Sequence, residues 1–225
     1  MECPPNYELQ CYTDRPENIR VSNGRLIIEA RGENYGEKQY TSGKIIQKSG
    51  RTSYGAYVIR AKLPNAKFLW PALWTLTADG CKYEEIDIVE YRGQVNNQIE
   101  CAAHFGRDWQ HLKSFGRDKV FSNKNFSADF HEFAILWLAN SLQWYVDNEK
   151  LFEVSTLETD WINNSNKPCS TSNQKPFSEI TSLILNIAVG GSFFPVDKYG
   201  SLTLNDAYQW PNPKLEVDWV RIYQE

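Results

Sequence analysis

The run Glu85-Ile86-Asp87-Ile88-Val89-Glu90 sets three acids among branched apolar residues that otherwise read as one buried β-strand. Burying three unpaired carboxylates is costly, so they must line an open cleft, bind a metal or form a solvated sheet face. Period two places Glu85 and Asp87 on one face but sends Glu90 to the other, into the layer of Ile86 and Ile88. A β-bulge near Ile88-Val89 resolves the conflict. One extra residue turns Glu90 back to the face of Glu85 and Asp87, and bulges are over-represented beside active sites.

On such a strand two glutamates flank a central aspartate. Leaning side chains bring the outer carboxyls to roughly 5 Å apart, the separation used in retaining glycoside hydrolysis. One glutamate then attacks the anomeric carbon, while the other protonates the leaving oxygen and later activates water. Asp87 raises a neighbour's proton affinity by like-charge repulsion and holds the nucleophile by a hydrogen bond, which separates an ionised glutamate from a protonated one. A solvated acidic strand face is the competing reading.

Working outward, turn signals such as Ser22-Asn23-Gly24, Gly32-Glu33-Asn34, Asp79-Gly80, Asp147-Asn148 and Gly190-Gly191 punctuate apolar or alternating runs. Strands are expected at 25–30, 43–47, 55–61, 72–76, 85–91, 99–104, 133–138, 142–146, 183–189 and 215–223. In the last of these, Leu215, Val217, Trp219 and Tyr223 fall on one face at period two, with Glu216 and Asp218 on the other. Only short stretches such as 178–182 suggest a helical turn, and 163–175, rich in Asn, Ser and Lys, reads as a surface loop. The rhythm is that of an all-β, antiparallel sandwich, taken as one domain over 1–225.

The net charge of −4, with 24 basic and 28 acidic residues well mixed, offers no basic stripe for nucleic acid or anionic lipid. No apolar run has the length of a membrane span, so neither partner is expected. The aromatic content of 14% exceeds what a core needs and suits stacking on sugar rings. Five cysteines (Cys3, Cys11, Cys81, Cys101, Cys169) leave at least one unpaired in a monomer, and their connectivity stays open. Two sequons, at Asn125 and Asn163, point toward secretion. Met1-Glu2-Cys3-Pro4-Pro5 lacks the pattern of a signal peptide, so an export signal removed beforehand is the expectation.

The six-residue acidic motif resembles the catalytic signature of glycoside hydrolase family 16, in its bulged, laminarinase-type form. The likeness extends through 6–14, 54–64, Trp70-Pro-Ala-Leu-Trp74, His104-Phe-Gly106, 185–191 and 217–223. It implies a jelly-roll sandwich with a substrate cleft across its concave sheet and endo-acting, retaining cleavage of β-1,3-glucan, laminarin-like, extending to mixed-linkage β-1,3-1,4-glucan. It makes Glu85 the nucleophile, Asp87 the helper and Glu90 the acid/base. Trp70 and Trp74, sharing a strand face, offer rings for glucose. His104 ends the hairpin partner of the acidic strand and is placed in the cleft, while Asn6, Arg60 and Asn186 are candidate partners of sugar hydroxyls.

The sequence departs from the family at its start, where members open with another strand bearing an Asp-Glu-Phe-like segment. Many members bind structural calcium between their first and last strands, and Asp218 matches one end of that site. From that departure an exposed sheet edge is expected, and it brings the calcium site into doubt. Catalysis itself is expected to need no cofactor. Three alternatives compete: a non-catalytic glucan-recognition protein or lectin on this fold, which would typically lose the glutamates; calcium ligation by Glu85, Asp87 and Glu90; and transglycosylation or a different β-glycan. A secreted monomer acting on neutral β-glucan is the preferred reading.

Overall fold

We describe the protein from a computed structural model, in which residues 1–4, 7–50, 53–78, 83–106, 112–157, 176–178 and 181–224 are described. Asn6, His111, Cys81, Cys169, the turn at Asp79-Gly80 and the loop 163–175 with its sequon lie outside them.

Two antiparallel sheets stack around one core. The six-stranded sheet has the order β11-β10-β9-β8-β15-β6: β11 is Leu112–Val120, β10 Gln98–Gly106, β9 Tyr83–Glu90, β8 Leu69–Ala78, β15 Ser182–Val189 and β6 Lys44–Ile46. The seven-stranded sheet has the order β14-β13-β12-β7-β16-β3-β2: β14 is Glu149–Ser155, β13 Ser141–Val146, β12 His131–Trp137, β7 Gly55–Lys62, β16 Lys214–Tyr223, β3 Arg25–Glu29 and β2 Ile19–Ser22. A small third sheet joins β1 (Gln10–Tyr12), parallel, to β5 (Lys38–Ser42), which pairs with β4 (Arg31–Tyr35).

Period two explains the layers. Tyr57, Ile59 and Ala61 of β7, Phe133, Ile135 and Trp137 of β12, and Ile86, Ile88 and Val89 of β9 all enter the same core. The acidic faces of β9 and the polar faces of β7 therefore point away from each other. Trp144 of β13 crosses the core and donates through Nε1 to the Asp87 carbonyl at 2.8 Å, so β9 is held from behind.

Each strand expected from sequence is present. Strands β1, β2, β4, β5, β11 and β14 are additional. The signal at Gly32-Glu33-Asn34 is not a turn but an irregular part of β4. Its glycine answers to packing instead, because a Cβ at Gly32 would sit 2.6 Å from Ala207 Cβ. Two short helices, α1 (Val196–Tyr199) and α2 (Leu204–Tyr208), were not signalled by any helical periodicity.

The last strand corrects the alternation expected for it. Val217 pairs with Ala61 and Trp219 with Arg60, which leaves Asp218 as an extra residue. This bulge moves Trp219 to the outer face, beside Arg60, while Leu215 and Val217 remain in the core. A disulfide joins Cys3 and Cys11, and Cys101 is free and buried.

Candidate active site

The carboxylate strand carries its bulge where the parity conflict required one. Against β8, Leu73 pairs with Val89 and Trp74 with Asp87, so Ile88 has no partner. Against β10, Glu100 pairs with Glu90 and Ala102 with Asp87, and Cys101 alone faces Ile88 and Val89. Ile88 and Val89 are therefore both in the core, 3% and 0% exposed. Glu90 is thereby returned to the outer face with Glu85 and Asp87.

The neighbouring strands complete that face. Trp70 and Trp74 come from β8, His104 from β10 opposite Glu85, and Asn186 from β15 opposite Ala72. His104 Nε2 lies 3.2 Å from Asp87 Oδ2 and 4.0 Å from Glu85 Oε1, and its Nδ1 is 2.6 Å from Ser114 Oγ. With Ser114 donating to Nδ1, the ring proton sits on Nε2 and faces the two acids. The Tyr83 hydroxyl donates to Glu85 Oε2, and Trp70 Nε1 donates to Glu90 Oε1 at 3.0 Å.

These contacts separate the three acids electrostatically. Burial raises the proton affinity of each. At Glu85 the Tyr83 hydroxyl and the His104 ring oppose that rise. Asp87 is pushed well above the usual carboxylate range, first by burial and then by the charge of Glu85. Burial, then the charges of Asp87 and Glu85, push Glu90 up to about 8. Asp87 Oδ2 is buried, and its 3.2 Å approach to His104 Nε2 is an ion-pair contact without hydrogen-bond geometry; the expected bond to the nucleophile is not among the described bonds.

The tryptophan edges are occupied by the protein. The Trp70 ring stacks on Phe193 at 4.4 Å and 11°, and the Arg92 guanidinium lies 3.7 Å from the Phe193 ring centroid. Trp74 Nε1 donates to Asn186 Oδ1 at 2.7 Å, and Asn186 Nδ2 donates to the Tyr12 hydroxyl at 3.0 Å. Asn186 is thus a buried strut whose partners are side chains rather than sugar hydroxyls.

Arg60 does not join this site. Its strand belongs to the seven-stranded sheet, whose outer face lies across the core from the acids, and its guanidinium pairs with Asp218 and sits 4.9 Å from the Phe130 ring. The same pairing bears on calcium. Asp218 faces a cation already present in the chain, the Arg60 guanidinium. Among the described residues, Glu85, Asp87 and His104 form the one group whose ligand atoms converge, within 4.8 Å of one another. Two carboxylates and an imidazole are fewer oxygen ligands than calcium takes.

Tyr83, Phe193, Arg92, Ser114 and Tyr12 escaped sequence reasoning. Tyr83 had a usable signal, since it stands two residues before Glu85 on the same strand face. Ser114 had none, because its place follows from a β11 that the sequence did not announce.

The geometry agrees with the comparisons. The model of glycosyl hydrolases family 16 matches residues 8–176. The glucan endo-1,3-beta-glucosidase of Cryptopygus antarcticus is 34% identical, over 96% of this chain and 81% of its own. The laminarinase of Rhodothermus marinus has a similar structure, with TM-score 0.77 and 30% identity over 97% of this chain and 85% of that one. So does a Zobellia galactanivorans LamA variant crystallised with laminaritriose and laminaritetraose, with TM-score 0.74 and 29% identity over 98% and 86% of the two chains. A match over most of the length, on a sandwich that presents this acidic strand, places the chain in the glycosyl hydrolases family 16.

Proposed function

We propose that this chain is an endo-acting, retaining hydrolase of β-1,3-linked glucan, with Glu85 as nucleophile and Glu90 as acid/base. The observation that carries the roles is the bulged strand β9. It presents both glutamates on one open face and gives them different partners, Tyr83 and His104 at Glu85 and Trp70 at Glu90. Glu85, held by the Tyr83 hydroxyl and facing His104, attacks the anomeric carbon. Glu90, holding its proton at neutral pH, gives it to the departing glycosidic oxygen. Deprotonated Glu90 then takes a proton from the water that cleaves the glycosyl-enzyme, and Glu85 leaves as the carboxylate. Asp87, between the two glutamates, is raised by burial and by the charge of Glu85, and it contributes in turn to the raised proton affinity of Glu90.

The names of the similar proteins support β-1,3-glucan as substrate, and Trp70 and Trp74 supply flat apolar surface for its rings. The Cys3–Cys11 disulfide supports an oxidising, extracellular setting.

The test is incubation with laminarin, mixed-linkage β-glucan, cellulose and agarose, scored by new reducing ends and by the anomer first released. Laminarin should yield the β-anomer. Glu85→Gln and Glu90→Gln should each lower the rate on the order of 10³-fold. A folded protein that binds laminarin without cutting it would instead be a recognition module.

A further inference from the structure

The indole of Trp74 is the first member of a chain of hydrogen bonds that leaves the cleft. Trp74 Nε1 donates to Asn186 Oδ1 at 2.7 Å, Asn186 Nδ2 donates to the Tyr12 hydroxyl at 3.0 Å, and that hydroxyl donates to Glu8 Oε2 at 3.1 Å. Gln10 Nε2 also donates to Glu8 Oε2, while Gln10 Oε1 accepts from the Val189 amide at 2.7 Å. Glu8, Gln10, Tyr12 and Asn186 are 8%, 0%, 6% and 6% exposed.

The direction of this chain is fixed at both ends. An indole N–H can only donate and a carboxylate can only accept. Glu8 therefore commits the Tyr12 proton to itself. The lone pairs of Tyr12 are then turned to the Asn186 amide nitrogen, and the Asn186 carbonyl to Trp74. Without an acceptor beyond Tyr12, the Tyr12 hydroxyl could turn its proton toward Asn186 Nδ2, donor against donor, and the amide held between Tyr12 and the indole would lose one of its two supports. Burial and the charge of Glu8 raise the proton affinity of the Tyr12 hydroxyl, as a committed donor requires.

The local backbone is arranged to bring Glu8 inward. Tyr7 takes a φ of 66° and is 85% exposed, whereas the next side chain is buried. Glu8 bridges to Gly190, and Leu9 N donates to the Val189 carbonyl at 2.9 Å. The Cys3–Cys11 disulfide closes this segment on both sides of Glu8.

We infer that Glu8 is a positioning residue for the sugar cleft: through Tyr12 and Asn186 its carboxylate fixes the orientation in which Trp74 meets the glucan. The inference rests on the proposed β-1,3-glucanase reading and adds to it a residue that touches neither the sugar nor the catalytic acids.

The test uses the full chain with three substitutions. Tyr12→Phe removes one oxygen and keeps the ring beneath the Lys44 ammonium. Glu8→Leu removes the terminal acceptor, and Glu8→Gln keeps an acceptor oxygen. The indole N–H resonance of Trp74, identified with Trp74→Phe, should move in Tyr12→Phe and Glu8→Leu and return toward its native position in Glu8→Gln. KM for laminari-oligosaccharides should rise about 5-fold in Tyr12→Phe, with kcat within about twofold, and the rise should vanish in a Trp74→Phe background. An unmoved resonance, or an equal KM rise with and without Trp74, overturns the inference. If the chain cleaves no β-1,3-glucan, the functional reading fails while the resonance still decides the relay. Tyr12→Phe, a single-atom change, keeps the result independent of any folding defect in Glu8→Leu.

Discussion

Burial and two neighbouring carboxylates hold the Glu90 proton up to a pH of about 8. A group that must deliver a proton works below that value, so kcat/KM should fall as pH rises through about 8. Trp70 donates to Glu90 and favours its ionised form. Trp70→Phe keeps the stacked ring but removes that donor, so the alkaline limb of the pH profile should move upward; an unchanged limb would show that Trp70 does not tune the acid. The stability consequence has the same sign. The folded chain binds this proton more tightly than the unfolded one, so the contribution is complete at low pH and is lost between the ordinary carboxylate range and about 8. Glu90→Gln mimics the protonated form, and its melting temperature relative to the native protein should climb as pH rises over that window.

At the scale of the strand, two bulges show what period-two reading can and cannot see. In β9 the conflict was visible, because an acid fell among core positions and burying it is costly, so sequence alone located the extra residue. In β16 no such conflict existed. Trp219 is acceptable on either face, and only pairing with β7 shows that Asp218 is the extra residue. Strands β4, β5 and β14 and the two helices were illegible for a related reason: they are held by tertiary contact rather than by a strong apolar pattern. Arg60 was misplaced because a motif gives the strand but not the sheet. The β16 bulge predicts that Val217→Ala costs about 2 kcal/mol in denaturant unfolding while Trp219→Ala costs less than about 1 kcal/mol. The β9 bulge predicts a parity effect. Deleting Ile88 alone leaves Glu85, Asp87 and the second glutamate in phase on one face, so a folded, weaker enzyme is expected. Deleting Ile88 and Val89 together turns that glutamate into the core, and circular dichroism should show loss of the folded state.

In the whole molecule the three acids of β9 and the tryptophans of β8 are held by different means. Glu85, Asp87 and Glu90 stand on a strand paired on both sides and backed by Trp144 across the core. Trp74 also stands on the sheet, but the polar chain from its indole ends at Glu8, in a segment fastened by the Cys3–Cys11 disulfide. Closing a loop with a sequence separation of 8 should stabilise the fold by about 2.5 kcal/mol through the unfolded state. For a chain of this size that corresponds to a melting temperature lower by about 5–10 °C when both cysteines are replaced by serine. The functional effect should be selective. Freeing the segment loosens Glu8 and with it the setting of Trp74, so KM rises, while kcat, set by acids on the sheet, stays within about twofold at temperatures well below melting. Measuring both constants with and without the disulfide separates the two supports. A matching fall in kcat would mean that the amino-terminal segment also holds the catalytic strand, and that the site is one mechanical unit rather than two.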